Sequence, residues 1–180
     1  MELSESELKA IQNGNNSSFE KLIDCYQDRM YGLAFKMIRD KEDAQEVTQV
    51  AFIKCYQNIK SFAFNSKFSV WLYSITYYES LSFLKKNKRW VYGHFENDYQ
   101  QQGHAPEVEA VFIEKERKET VKNLLDNLKT DERLLLNLFY LEELSYKEIT
   151  KITGFTLSNV KVKIHRAKNK LKQNLNYSIN

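Results

Sequence analysis

The sequence predicts an all-α fold made of two small helical lobes that a flexible linker joins. A single proline and five glycines in 180 residues leave few of the residues that punctuate the short strands of sandwiches and barrels. Apolar residues recur at steps of three and four through most of the chain, which is the period of an amphipathic helix. That period fails between residues 91 and 106, where the one proline lies, and such a break is typical of a linker.

The first lobe is predicted to contain three helices. Ser17 stands three residues before Glu20, which is the spacing of a capping box at a helix start. A second helix is expected after Asp40, because acidic residues in a first turn suit the positive end of the helix dipole. A third helix is expected from Phe68 into the basic run at 85–89.

The second lobe is predicted to begin with a charged helix over 108–128 and a further helix around 134–139. Ser145 and Glu148 form a second capping-box pattern, and Gly154 stands where a glycine would end that helix. The last helix is expected to carry its apolar face on Val160, Ile164, Ala167, Leu171 and Leu175.

Charge is distributed unevenly along the chain. Residues 1–50 carry ten acidic and six basic residues, whereas 158–180 contains six Lys or Arg and no acidic residue. A basic end of this kind suits a phosphate-bearing partner, although a solvated helix end gives the same pattern. No apolar run approaches the ~20 residues that a membrane span needs, and the start of the chain lacks the features of a signal peptide. We therefore expect a cytoplasmic protein with no direct membrane insertion.

The sequence contains no pattern that predicts an enzyme, a metal site or a cofactor site. A glycine-rich phosphate loop, a His-Glu-x-x-His helix, a Cys-x-x-Cys pair and a Gly-x-Ser-x-Gly elbow are all missing. The three histidines are scattered, and the two cysteines, Cys25 and Cys55, lie far apart within helical patterns. Buried, unreactive thiols are expected at both positions.

Residues 145–171 have the plan of a helix-turn-helix: a short helix, a tight turn at Gly154, and a second helix with a basic exposed face. Such a second helix fits the DNA major groove. The stretch from Gly154 to Leu171 resembles the region-four recognition helix of the extracytoplasmic-function (ECF) group of RNA polymerase sigma factors, in the sigma-70 family. The resemblance implies that this lobe reads the minus-thirty-five promoter element with Thr156, Ser158, Asn159, Lys161, Val162, Lys163, His165 and Arg166.

A second match to the same family lies in the first lobe. The stretch from Asp43 to Phe52 is similar to the region-two pattern that binds the clamp coiled coil of the largest polymerase subunit. The resemblance implies core polymerase binding by Asp43, Glu46, Val47, Gln49 and Val50. The stretch from Phe64 to Ile75 resembles the segment that precedes the family's minus-ten recognition helix. Minus-ten recognition is accordingly expected from Phe64, Asn65, Ser66, Lys67, Tyr77, Tyr78, Ser82, Lys85, Lys86, Lys88 and Arg89.

The resemblance implies three parts: region two over 1–90, which binds core polymerase and recognises and melts the minus-ten element, a linker over 91–114, and region four over 115–180. It also implies the partners, which are core RNA polymerase through its clamp coiled coil and flap, promoter DNA, and an anti-sigma factor. Thr156 stands where the family often has proline, but threonine can cap a helix. The alternative is a stand-alone helix-turn-helix transcriptional regulator whose N-terminal lobe senses a ligand or dimerises.

Overall fold

A computed structural model of the chain describes residues 3–87 and 128–178, with the side chains beyond 173 excepted. Within these ranges the chain forms seven α-helices and one 3-10 turn. The predicted linker, the predicted helix over 108–128 apart from Leu128, Lys88 and Arg89 lie outside the described residues. The elements in chain order are α1 (Glu5–Gln12), α2 (Asn16–Ile38), α3 (Lys41–Asn58), the 3-10 turn (Ile59–Ser61), α4 (Phe68–Lys86), α5 (Thr130–Tyr140), α6 (Tyr146–Thr153) and α7 (Leu157–Ser178).

The helix starts follow local capping chemistry. The Asp40 carboxylate accepts the backbone N–H groups of Glu42 and Asp43, both at 3.0 Å, and so begins α3. The expectation that Ser17 caps α2 is wrong. Asn15 is the cap instead, because its side-chain oxygen accepts the backbone N–H of Ser18 at 3.1 Å, as asparagine does at many helix starts.

The helix α1 was not predicted from the sequence. Ser4 and Glu7 form a capping box at its start, and its buried residues Leu8 and Ile11 join the core. The helix packs against α2 and against the 3-10 turn. It thereby lies next to the segment that connects α3 to α4.

The first lobe is a bundle in which α2, α3 and α4 each pack against the other two. Its centre consists of Tyr26, Met30, Leu33, Leu72 and Tyr73, all at most 1% exposed. Burial of an aliphatic side chain of this size stabilises a fold by roughly 1.5–3 kcal/mol. This buried core therefore fixes the positions of the helices that carry the polar residues on the outside of the bundle.

The second lobe is formed by α5, α6 and α7, which pack around Leu135, Leu138, Ile149 and Ile152. The two lobes also contact each other, since α4 packs on α6 and α2 packs on α5. Within residues 3–87 and 128–178, no helix is both long and apolar enough to cross a membrane.

Candidate nucleic-acid and protein interfaces

The turn between α6 and α7 is fixed by its own residues. At the start of α6, the Ser145 hydroxyl accepts the Glu148 N–H at 3.3 Å, and the Glu148 carboxylate accepts the Ser145 N–H at 2.8 Å. At its end, Gly154 has a φ of 72°, a conformation that costs little only for glycine. The Thr156 hydroxyl then accepts the Asn159 N–H at 3.2 Å and caps α7. The predicted helix-turn-helix is present.

The recognition helix α7 presents most of its predicted DNA-reading residues to solvent. Val160, Ile164 and Ala167 face the core, which turns the opposite side outward. The exposed predicted residues are Thr156, Ser158, Asn159, Lys161, Val162, His165 and Arg166. The neighbouring Lys168 and Asn169 are also exposed and extend the same face.

Lys163 is placed differently from the other predicted reading residues. It is half-buried and forms an ion pair with Asp131 of α5, and its Nζ atom lies 5.4 Å from the centre of the Phe155 ring. Lys170 similarly pairs with Glu132 at 2.8 Å. These two lysines attach α7 to α5, which separates them in role from the exposed cations Lys161 and Arg166.

The outer part of α4 offers a second polar and aromatic surface. Tyr78, Ser82, Lys85 and Lys86 are exposed, as their predicted role in minus-ten recognition requires. Tyr77 is only 4% exposed and belongs to the core. The expectation that Tyr77 contacts DNA is corrected accordingly: its ring packs inside the bundle and supports the neighbouring Tyr78, whose ring lies 5.3 Å away.

The connection between the 3-10 turn and α4 holds the remaining minus-ten candidates, Phe64 to Lys67, and we call residues 62–67 the reading loop. Phe62 is buried, and the centre of its ring lies 5.4 Å from that of Phe68 and 5.3 Å from that of Trp71. Phe64 has a φ of 56°, which is uncommon for a residue other than glycine. Asn65 and Lys67 are exposed and Ser66 is half-buried, so the loop presents polar groups above an aromatic base.

The outer face of α3 combines acidic residues with an apolar groove. Glu46 and Gln49 are exposed, and Asp43 and Val50 are half-buried. Val47 is only 3% exposed, so the expectation that it contacts polymerase is corrected, because its side chain fills the core beneath this face. Beside it lies a groove of about 500 Å³, lined by Phe19, Ile23, Gln49, Phe52, Ile53, Tyr56 and Gln57.

Sequence reasoning missed this groove, although α3 itself carried the signal. Ile53 and Tyr56 are 56% and 49% exposed, and they follow the predicted binding residue Gln49 by about one and two helical turns. Their exposure could not be read from periodicity alone, because it depends on how α2 packs beside α3. Phe19 of α2 meets the Tyr56 ring edge to face at 4.9 Å, and this contact forms one wall of the groove.

Polar contacts join the two lobes at the reading loop. The Lys67 ammonium lies 3.3 Å from the Glu148 carboxylate of α6, and the Lys151 ammonium donates to the Asn65 carbonyl at 3.4 Å. The helix-turn-helix lobe therefore touches two of the residues that are predicted to read the minus-ten element.

A second contact between the lobes centres on Glu142, in the turn between α5 and α6. Its carboxylate accepts the Tyr73 hydroxyl and lies 3.9 Å from the Arg29 guanidinium. Burial, together with the hydrogen bond to Glu142, raises the pKa of Tyr73. Desolvation lowers the pKa of Lys36, and the nearby Glu142 charge opposes that shift.

The charge state of Glu148 is set by competing effects. Burial alone would raise the pKa of this carboxyl, but hydrogen bonds from Ser145 and the charge of Lys67 bring the pKa below the ordinary glutamate value. Glu148 is therefore ionised at neutral pH and serves both the capping box and the contact with Lys67. Among the residues that the structure describes, no group of His, Cys, Asp and Glu side chains could hold a metal ion.

Comparison with known proteins gives two family matches along the chain. The family described as sigma-70 region 2 matches residues 22–90, and the family described as sigma-70, region 4 matches residues 118–171. The chain is 32% identical over 178 residues to the ECF RNA polymerase sigma factor SigW of Bacillus subtilis (strain 168). That alignment covers 93% of this chain and 94% of SigW.

Two solved structures share the fold. CnrH, in complex with the cytosolic domain of CnrY, has a TM-score of 0.66 and 19% identity, and the match covers 95% of this chain and 96% of CnrH. The sigma factor RpoE of Bartonella quintana, in complex with the anti-sigma factor NepR, also has a TM-score of 0.66, with 20% identity and coverage of 88% and 96%. At these identities the likeness concerns the fold.

The match to sigma-70 region 2 decides between the two functions that the sequence left open. A stand-alone helix-turn-helix regulator would account for the region 4 match but leaves the region 2 match unexplained, and it is not favoured. The full-length similarity to SigW covers both lobes in one alignment. The chain belongs to the ECF group of the sigma-70 family of RNA polymerase sigma factors, the initiation factors that bind core polymerase and direct it to promoters.

Proposed function

We propose that this sigma factor divides promoter recognition between its lobes, with residues 1–90 acting as region two, 91–114 as the linker and 115–180 as region four. The observation that carries the proposal is the exposed face of α7, which combines Lys161 and Arg166 with small polar residues and has no acidic residue. A helix of this kind enters the major groove, where its first turns meet base edges. We assign duplex reading of the minus-thirty-five element to this face.

The reading loop and α4 are proposed to recognise and open the minus-ten element. Polar groups at Asn65 and Ser66 can bond the edge of an unstacked base, and exposed Tyr78 offers a ring on which a base can stack. Lys85 and Lys86 follow on the same helix and can track the phosphates of the separated strand.

The acidic face and apolar groove of α3 are proposed to bind the clamp coiled coil of core polymerase. Exposed apolar side chains beside charged ones are typical of a protein interface with an apolar centre and a polar rim. Ile53 and Tyr56 supply the apolar centre, and Glu46 and Asp43 supply the charge. Region four is proposed to contact the polymerase flap as well as DNA.

The structural relatives support a further proposal about a partner. CnrH and RpoE were solved with CnrY and with the anti-sigma factor NepR, and we propose that an anti-sigma factor likewise binds this chain. The chain is proposed to act in the cytoplasm, where core polymerase transcribes, and to catalyse no reaction itself, since RNA synthesis belongs to the polymerase.

The experiment that tests these assignments is a binding comparison with purified protein. Wild-type chain should bind bacterial core polymerase stably, and the complex should bind promoter DNA far more tightly than the free chain does. Tight, salt-dependent binding of free chain to duplex DNA, with no association with core polymerase, would overturn the assignments and favour the regulator.

A further inference from the structure

Gln12, the last residue of α1, makes a long-range contact with the base of the reading loop. Its side-chain amide nitrogen donates to the Ile59 carbonyl and to the Phe62 carbonyl, each at 2.9 Å. These carbonyls lie 47 and 50 residues away in sequence. An amide nitrogen has two N–H groups, so this pair of acceptors uses both.

The contact gives a donor to the Phe62 carbonyl, which the 3-10 turn does not bond, and a second donor to the Ile59 carbonyl. At the end of a short helix the last carbonyls lack partners within the helix. The Phe62 N–H bonds back to the Ile59 carbonyl at 3.1 Å, whereas the Phe62 carbonyl points out of the turn towards Gln12. Gln12 thus fixes the backbone at the residue from which the reading loop departs.

The conformation of the next residues needs such support. Phe64 has a φ of 56°, which costs a residue with a Cβ atom of the order of 1–2 kcal/mol. Its ring is held between Phe62, at 4.9 Å between centroids, and the Lys9 ammonium of α1, at 5.7 Å. Two residues of α1 that lie one helical turn apart therefore contact the loop. Gln12 bonds its backbone, and Lys9 lies over the Phe64 ring.

On its other side the loop contacts the second lobe, through Glu148 and Lys151. When the loop engages promoter DNA, those contacts must be exchanged for contacts with the base. The contacts from α1 belong to the first lobe and do not compete with DNA in this way.

We propose that Gln12 is a positioning residue for minus-ten recognition, which holds the reading loop in the shape that selects an unstacked promoter base, with Lys9 as its second contact. This inference rests on the proposed function of the reading loop. It assigns to α1, which contributes none of the predicted DNA-binding residues, a part in promoter selectivity.

The test uses full-length chain with core polymerase and a promoter pool that is randomised through the minus-ten element and has a constant minus-thirty-five element. Wild-type chain should initiate preferentially at certain bases. Gln12→Leu keeps the size of the side chain but lacks the amide, and should reduce the ratio between preferred and other bases by about five- to tenfold, as expected when the part-buried Phe62 carbonyl loses this donor and the Ile59 carbonyl loses one of two. Gln12→Asn, whose amide is too short to reach both carbonyls, should reduce it less.

Matched measurements separate positioning from folding. Gln27→Leu changes an exposed glutamine of α2 and should leave base preference, core affinity and thermal unfolding unchanged. Each Gln12 variant should bind core polymerase and minus-thirty-five duplex as wild type does. If both Gln12 variants keep the wild-type base preference, the inference about Gln12 is wrong, while the proposed function still stands. The same holds if the variants lose transcription equally from all promoters and unfold at a lower temperature. A wild-type chain without any minus-ten preference would overturn the proposed function as well.

Discussion

Gly154 is the residue on which the geometry of the helix-turn-helix depends most directly. Its φ of 72° suits glycine, and a Cβ atom there would lie 3.0 Å from the Tyr78 hydroxyl of α4. Gly154→Ala should therefore destabilise the fold by about 1–2 kcal/mol from the backbone conformation alone, and further unless Tyr78 moves. Thermal unfolding measures this.

The matched control is Gly32→Ala, within α2, where the nearest atom to the new Cβ is the Lys36 Nζ at 3.7 Å. This replacement should be neutral or stabilising by up to about 1 kcal/mol, because alanine favours helix interiors. Equal stability of Gly154→Ala and wild type would contradict the left-handed turn.

Exposed cations on α7 should determine affinity for the minus-thirty-five element. Arg166→Ala and Lys161→Ala should each weaken binding to the minus-thirty-five element by about 1–3 kcal/mol if the side chain bonds a base. If the side chain bonds a phosphate instead, each should reduce the slope of log affinity against log salt concentration by about 1. Titration of duplex with the polymerase-bound factor at several salt concentrations distinguishes the two. Lys21→Ala, on the exposed side of α2, should change neither quantity, and full affinity in both α7 variants would refute the placement of the DNA face.

For individual residues, the sequence predicted the contacts that form between near neighbours in the chain. The capping pair of Ser145 and Glu148, the turn at Gly154 and the cap at Thr156 all involve residues within four positions of one another, and all are confirmed. It did not predict that Lys163 pairs with Asp131, 32 residues away, because partners so distant in sequence are set by packing.

The helix α3 carries exposed apolar side chains, Ile53 and Tyr56, next to an acidic face. Glu46→Arg reverses a charge at an exposed position, and Ile53→Asp places a charge in the groove. Both should weaken core polymerase binding, by roughly 1 kcal/mol for a charge at the interface edge and by 2 or more for a buried apolar contact. Affinity measurements with core polymerase test this.

Lys41→Ala, at the exposed start of the same helix, is the control, and circular dichroism should show that all three variants keep the native helix content. If Glu46→Arg and Ile53→Asp bind core polymerase as wild type does, α3 is not the polymerase-binding helix.

Periodicity predicted the long helices α2, α3 and α4 because each has a continuous buried stripe. It missed α1, where only Leu8 and Ile11 are buried in a helix of eight residues. The capping spacing of Ser4 and Glu7 was the available signal. The burial of Val47 follows the helical spacing of Val47, Ala51 and Cys55 and could be read from the sequence. The burial of Tyr77 depends on neighbouring helices, so sequence alone could not exclude it from the site.

In the whole molecule, the two lobes meet in an arrangement that covers part of the reading loop. The contact of Glu142 with Tyr73 and Arg29 and the contact of Glu148 with Lys67 both belong to this interface. The part-buried hydrogen bond between Tyr73 and Glu142 contributes on the order of 1.5–3 kcal/mol, whereas the pair of Glu148 with Lys67, whose side chain is 55% exposed, contributes about 0–1 kcal/mol. We expect promoter engagement by the loop to require separation of the lobes at these contacts.

Removal of these contacts should open the free protein. Glu142→Ala combined with Glu148→Ala should increase the radius of gyration measured by small-angle X-ray scattering, whereas Glu143→Ala, at an exposed neighbouring position, should not. A compact double variant would show that other contacts hold the lobes together.

Acid should open the free protein as well. The pKa of Glu148 is lowered in the folded state from an ordinary value of 4.5. Its contribution to stability is therefore fully present above pH 4.5 and is lost as the pH falls through the lower folded value. Small-angle scattering should show a constant radius from pH 7 to about 5 and expansion below pH 4.5. In the Glu148→Gln variant this component of the transition should disappear, and an unchanged transition there would contradict the role of the pair.

The division into two lobes and their order along the chain were predicted from sequence, but their contact was not, because it joins residues that lie far apart and on either side of the linker. The proposed role of the chain is to direct core polymerase to promoters, and run-off transcription on a pool of promoter fragments, with and without the purified chain, measures it. We expect transcripts that depend on the chain and start at a shared pair of minus-thirty-five and minus-ten elements. Equal transcription with and without the chain, or initiation with no shared promoter sequence, would contradict it.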